Sequence, residues 1–421
     1  MLRKLTVLLL AATLLFVAGC SSSKPASSQP AAPKADEKVT ITFWHTYSTD
    51  GSENKTINEV VIPAFQKKYP NITVKAVAQP YDGLHDSLVT AAAGGTTPDV
   101  MRMDIIWTPE FAKLGALETL DSYAGFGDLA KAVFPGPLAT NQYKGKTYGL
   151  PLDTNTQVFV YSPDYLKAAG LTAAPKTWDD FKKYMAASKG AGKVPFAPSG
   201  TNPWQMLPLF WSLGGNVTDA QYTKATGYLN SDDSVAALTE IYNEFKAGNF
   251  AKTIIGEQPS TWDGYKPGQY GAVLEGPWMY GILGNDLKGK MISGPVPAGK
   301  GGSISVVGGE NVVMFKNSKN KDAAWKFMQF LLSDEAQTAM AKTGQMPVTN
   351  TASANPVMKE AGYYDAFVDQ LKTARPRTPV PAWTKIEKIL SDSFEAVMRD
   401  KDTPKSALDK AAKDIDALLA Q

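Results

Sequence analysis

Between residues 39 and 103 the hydrophobic period changes repeatedly between two and 3.6, and that order limits the fold more than any other feature. Val39-Thr40-Ile41-Thr42-Phe43-Trp44-His45 alternates with period two, as a strand does. Ile57, Val60, Val61, Ala64 and Phe65 then share one helical face, with Pro63 inside the pattern, so a kink or a broken first half is expected. Ile72–Val77 reads as a second strand. Leu84, Leu88, Val89 and Ala92 mark a second helix ending at Gly94-Gly95, and Asp99–Met103 is a third strand. Strand, helix, strand, helix, strand calls for a parallel sheet with right-handed crossovers.

A second set begins near residue 150. Gln157–Tyr161 reads as a strand. Thr177 is placed to cap a helix whose inward residues are Trp178, Phe181 and Met185, with Asp180 in the capping-box position. Val235, Leu238, Tyr242 and Phe245 mark another helix. Asn311–Phe315 is a late strand, followed by a helix with Ala324, Phe327, Met328 and Leu331 inward. Two C-terminal helices show Ile386, Ile389, Leu390 and Val397, then Leu408, Ala412, Ile415 and Leu419, the last begun by Thr403-Pro404. Two α/β lobes follow, with a cleft beyond the C-terminal strand ends that can close on a hinge.

The N-terminus carries an address. Arg3 and Lys4 precede an uncharged run from Thr6 to Ala18, too short for the ~20 apolar residues of a membrane span. The run ends Val17-Ala18-Gly19-Cys20, which resembles the lipobox of bacterial lipoproteins, so residues 1–19 are expected as a signal peptide and Cys20 as the lipidated first residue of the mature chain. Cys20 is the only cysteine in 421 residues, which excludes internal disulfides and cysteine metal clusters. Residues 20–38 are rich in Ser, Pro and Ala and read as a flexible tether.

Lys+Arg is 43 and Asp+Glu is 41, with the positive residues scattered, which argues against nucleic acid as partner. Catalytic signals are weak. The only histidines are His45 and His85, without metal-type spacing. Gly284–Lys290 matches the start of a phosphate loop, but Met291 stands where Ser or Thr is needed, and Gly145-Lys146-Thr147 lacks the leading glycine; both are read as turns. Asp104, Asp153, Glu275 and Glu310 remain as carboxylates that could serve a glycosidase or accept hydrogen bonds from sugar hydroxyls. Their neighbours favour the second role. Trp44-His45, Tyr81-Asp82, Asp104 with Trp107, Asn202-Pro203-Trp204-Gln205 and Glu275 with Trp278 set polar groups beside aromatic planes, as the C–H faces and hydroxyl edges of a sugar require. Trp178 and Trp325 sit in apolar helical periods and are assigned to the core.

These markers run in a familiar order: Ile41–His45; Pro70–Val74; Thr97–Val100; Gly145–Pro151; Ala169-Gly170-Leu171 and Pro175–Trp178; Gly276-Pro277-Trp278; Gly308-Gly309-Glu310-Asn311; and Ala323–Phe327. In that order and spacing the chain after the tether resembles the extracellular solute-binding proteins (family 1) of carbohydrate ABC importers, the group that includes maltose-binding protein. The resemblance implies the class II periplasmic-binding-protein fold, an α/β architecture of two hinged lobes with a ligand cleft. One lobe would hold residues 39–153 and 308–349, the other 154–307 and 350–421. It implies ligand contacts from Trp44, His45 and Tyr47 after the first strand, Asp104 and Trp107, Asp153 and Asn155, Trp204, Trp278, Glu310 and Trp383, to which the aromatic–polar pairs add Tyr81 and Glu275. It also implies capture of an oligosaccharide, without enzyme activity, cofactor or metal. Delivery would be to the permease subunits of an ABC transporter, by a monomer held through its lipid anchor on the outer face of a bacterial cell membrane. A glycerol phosphodiester or polyol carrier and a secreted glycoside hydrolase are the alternatives, with a structural lipoprotein behind them.

Overall fold

The computed structural model describes residues 38–190, 193–287, 290–356, 360 and 362–420. The expected signal peptide, Cys20 and the tether up to residue 37 lie outside the described residues.

The three early strands form as their alternation requires. β1 (Val39–His45) pairs in parallel with β2 (Ile72–Ala78), and on its other side with β3 (Val100–Asp104). β1 buries Ile41, Phe43 and His45 on one face. β4 (Gly149–Thr156) is buried along its whole length, and the chain passes from it through Gln157 straight into β5 (Val158–Tyr161). β5 is the centre of a separate antiparallel sheet, flanked by β6 (Ala272–Glu275) and β7 (Ile292–Gly294). The chain then returns through β8 (Val306–Met314), antiparallel to both β3 and β4, and β9 (Arg375–Pro376) closes that edge. The result is a six-stranded mixed sheet in the order β9-β8-β3-β1-β2, with β4 also on β8, and a three-stranded sheet in the order β6-β5-β7. These are the sheets of two α/β lobes.

The helix after β1 shows what Pro63 does. α1 (Ser52–Thr56) runs through a π-helical turn, Ile57–Val61, into α2 (Ile62–Lys68). Proline has no N–H to give the carbonyl four residues back, and the wider turn falls in the segment just before it. The wider turn also shifts the helix face. Ile57, Val61, Ile62 and Phe65 are buried, whereas Val60, expected inward, is exposed. α3 (Leu84–Gly94) stops at Gly95, whose φ of 69° few other residues adopt, and α4 (Thr108–Lys113) follows β3.

In the second lobe α5 (Trp178–Ser188) begins at Thr177, whose hydroxyl accepts from Asp180 N at 3.2 Å. α6 (Pro203–Ser212) begins at Asn202 in the same way. α7 (Asp232–Lys246) buries Ala237, Leu238 and Ile241, while Val235, Tyr242 and Phe245, expected as its inner face, are half-buried. α8 (Trp278–Leu287) includes Gly284–Leu287, which is helical where a turn was expected. α9 (Lys321–Leu331) covers the six-stranded sheet. α10 (Trp383–Met398) and α11 (Pro404–Leu419) pack on each other and on α7, with Thr403 capping α11 as its sequence predicts. Trp178 and Trp325 are buried, as assigned. No described helix is long and apolar enough to cross a membrane.

Phe327 of α9 meets Phe43 of β1 edge-on at 5.3 Å and Phe65 of α2 at 5.1 Å, all three fully buried. Phe327→Ala leaves that three-way contact hollow, and urea denaturation is expected to show a loss of about 3–5 kcal/mol.

Candidate functional site

Strand ends, helix starts and one late loop meet around a cavity of about 500 Å³. Tyr81 and Asp82 come from the loop after β2, Asp104 ends β3, and Gly308, Gly309 and Glu310 lie in β8. Beside them stand Asn155 of β4, Asn202 and Trp204 at the start of α6, and Trp278 at the start of α8. Arg377 and Glu387 complete the wall from the segment after β9 and from α10. This is where open α/β sheets bind ligands, beyond the carboxyl ends of parallel strands.

Trp204 is held by a local exception to helix rules. Pro208 lies four residues on and cannot donate to the Trp204 carbonyl. Gln157, fully buried at the junction of β4 and β5, takes that place. With its amide turned to satisfy both ends, its nitrogen donates to Trp204 O at 2.6 Å, and its oxygen accepts from Trp204 Nε1 at 2.7 Å. The indole so fixed stacks on Trp278, centroids 6.2 Å apart and planes 29° apart. Gly308 is required beside it. A Cβ there would lie 2.2 Å from Asn155 Oδ1 and 2.5 Å from the Trp204 ring, closer than side chains pack. Asn155 Oδ1 is itself a buried acceptor without a protein partner.

Two arginines stand at the cavity, and carboxylates pin both. Arg102, buried under the floor, lies 2.7 Å from Glu310 and 3.3 Å from Asp153, donates to Thr46 Oγ1 at 2.8 Å, and covers the Tyr47 ring. Arg377 lies 3.2 Å from Asp104 and 3.9 Å from Glu387, with its guanidinium 5.1 Å over Trp204. Tyr81 donates to the other Asp104 oxygen at 2.8 Å and stacks on Trp107. Burial pushes the Glu310 carboxyl well up from its ordinary range against the pull of Arg102. Burial, with Arg102 near, lowers His45 to about 4, so its ring is neutral at physiological pH.

Of the residues expected to contact ligand, Tyr81, Asp104, Asn155, Trp204, Trp278 and Glu310 line the cavity together. The others do not. His45 and Tyr47 are buried beneath it, where strand alternation puts His45 on the face of Phe43. Trp44 is half-buried against the core. Trp107 backs Tyr81, and Asp153 serves Arg102. Glu275 is buried, accepting from Trp262 Nε1 at 2.7 Å. Trp383 is the clearest correction. At 1% exposure it packs in the core with Ile386 and Leu390, because the first turn of α10 points inward. Arg377 and Glu387 were missed. The charge of Arg377, in Arg375-Pro376-Arg377, was the available signal in a stretch where Trp383 drew attention. Gln157 gave none. Among the described residues no group of acids, histidines or cysteines could hold a metal ion.

The family profile described as bacterial extracellular solute-binding protein matches residues 49–338. An arabinooligosaccharide-binding protein of Bacillus subtilis is 27% identical over 448 residues, covering 98% of this chain and 99% of its own. The diacetylchitobiose binding protein DasA of Streptomyces coelicolor is 25% identical over 435 residues, with both chains covered fully. Among solved structures, maltose-bound MalE3 of T. maritima superposes with a TM-score of 0.81 at 26% identity, over 90% of this chain and 100% of its own. The GacH receptor of Streptomyces glaucescens superposes at 0.82 and 23% identity, over 91% and 99%. The chain belongs to the bacterial extracellular solute-binding proteins, and its fold is the two-lobed binding-protein fold.

Burial raises Glu275 from 4.5 to about 7, against the Trp262 hydrogen bond that favours its charged form. The folded chain therefore holds this proton more tightly than the unfolded chain does. The stability tied to it is full below the ordinary carboxylate value and is lost as pH rises through about 7. Melting curves across this window should fall more steeply for wild type than for Glu275→Gln, which has no proton to release.

Proposed function

We propose that the protein captures an oligosaccharide outside the cell and hands it to the permease of an ABC importer. The observation that carries this is the stacked Trp204–Trp278 pair, fixed by Gln157 and faced by Asn155, Asp104, Glu310 and Glu387. The indoles offer planes for the C–H faces of sugar rings, and the polar rim offers acceptors for their hydroxyls. Relatives named for arabino-, galacto- and maltodextrin-type oligosaccharides support the class of cargo. A phosphodiester is the poorer fit, since Arg102 and Arg377 are each taken by two carboxylates.

In this reading the lobes comprise residues 39–153 with 308–349 and residues 154–307 with 350–421. They close on the sugar, and the closed form docks on the permease as a monomer. Ligand drives closure only through its higher affinity for the closed state. No bond is made or broken in the cargo, and Cys20 carries the lipid that keeps the protein at the membrane surface.

A thermal-shift screen of the purified protein against malto-, arabino-, galacto-, xylo- and chito-oligosaccharides, with glycerol phosphates alongside, tests the capture step. One oligosaccharide class at ~100 times its Kd should add about 2.7 kcal/mol of stability. The sugar should be recovered at its original length, and Trp204→Ala should abolish the shift. A shift from glycerol phosphates alone, or shortened sugar, overturns the proposal. For the anchor, Cys20→Ala expressed in a bacterial host should move the protein from the membrane fraction to the soluble one.

A further inference from the structure

The cavity between the lobes has an aromatic neighbour. A second cavity of about 400 Å³ is lined by Trp211, Asn216, Tyr222, Tyr228 and Arg375, with Thr218 and Asp219 at its edge. Its position follows from two repeat lengths. Trp204 and Trp211 are seven residues apart on α6. At 3.6 residues per turn that is within about 20° of two full turns and a rise of about 10.5 Å, so both rings leave the same side of the helix. Arg375 and Arg377 are two residues apart in extended chain and also leave on one side. Arg377 covers Trp204 in the first cavity, while Arg375 and Trp211 line the second. The seam between α6 and residues 375–378 therefore runs from one cavity to the other.

The second cavity is built to present its rings. Tyr222 is held at φ 58°, a left-handed conformation that non-glycine residues rarely take. Asp219 holds it there. Its backbone carbonyl accepts from Tyr222 N at 3.2 Å, and its carboxylate accepts from Thr223 N at 2.6 Å and Lys224 N at 3.0 Å. Backbone strain of this kind persists only where the surroundings impose it and collects at binding sites. Tyr228 is 42% exposed, and neither tyrosine belongs to an apolar core. Arg375 is steadied by Asn216, donating to its Oδ1 at 3.1 Å. Aromatic planes next to fixed donors and acceptors repeat the chemistry of the first cavity.

We infer that this cavity is a second carbohydrate subsite, which takes the far rings of an oligosaccharide whose near rings lie on Trp204 and Trp278. The inference rests on the sugar-binding reading above and adds chain length to it. Trp204 and Trp211, about 10.5 Å apart along α6, are separated by more than one sugar ring, so a disaccharide occupies the first cavity alone. A longer chain following the seam reaches Tyr222 and Tyr228.

The test is calorimetric titration of the full-length protein with a length series, disaccharide to hexasaccharide, of whichever oligosaccharide class stabilises it in the screen. Tyr222→Gly removes one ring and tolerates the left-handed backbone. Tyr228→Ala and Arg375→Ala alter exposed side chains, and unchanged melting temperatures check that each variant folds. Combining Tyr222→Gly with Tyr228→Ala is expected to weaken the hexasaccharide about tenfold and to leave the disaccharide unchanged, whereas Trp204→Ala weakens every length. Equal hexasaccharide affinity in the double variant and wild type, or a loss of the same size for the disaccharide, overturns the subsite. If wild type binds no sugar of any length, the capture reading falls and the subsite with it, a failure visible before any variant is made.

Discussion

Arg102 holds together the strands on which the cleft is built. It projects from β3 under the cavity floor, pairs with Asp153 of β4 and Glu310 of β8, and lies over the ring of Tyr47 just beyond β1. Three strands that arrive from distant parts of the chain thus share one buried cation. Ion pairs of this kind contribute little net stability beside a well-packed apolar core, but leaving one member unpaired is costly. What they supply is geometry. The registers Glu310↔Asp104 and Glu310↔Asp153 fix where the β8 glycines fall, and with them the opening into which Trp204 fits.

Much of the first lobe was legible because its strands and helices alternate with clean periods and each period meets one apolar face. Legibility failed where a local exception overrode the period. The π turn before Pro63 rotated Val60 outward, although its place in the pattern looked apolar and inward. Asp153 and Asn155 are two residues apart and share one face of β4, so alternation could not separate the one that serves Arg102 from the one that lines the cavity.

The site was legible as a composition and poorly legible as a map. Aromatics next to amides and carboxylates pointed to segments that line the cavity, and half of its wall follows from them. Trp383 shows the weakness. A tryptophan after several prolines reads alike whether its helix turns it toward ligand or core, and only packing decides. Arg377 is the converse. Its partner Asp104 is 273 residues away, and nothing local marks the pair. His45 was within reach, since the same alternation that buries Phe43 buries it too.

Gln157 has a mechanical consequence. It sits at the residue where the chain leaves one sheet for the other, and it grips Trp204 at both the carbonyl and the indole nitrogen. If the lobes close as proposed, a ring mounted at this crossing would have a short lever arm, and rim groups such as Tyr81 would sweep the wider arc while the Trp204 plane turned almost in place. A sugar settled on that axle would keep its contact through the whole stroke, with the moving rim arriving last and leaving first.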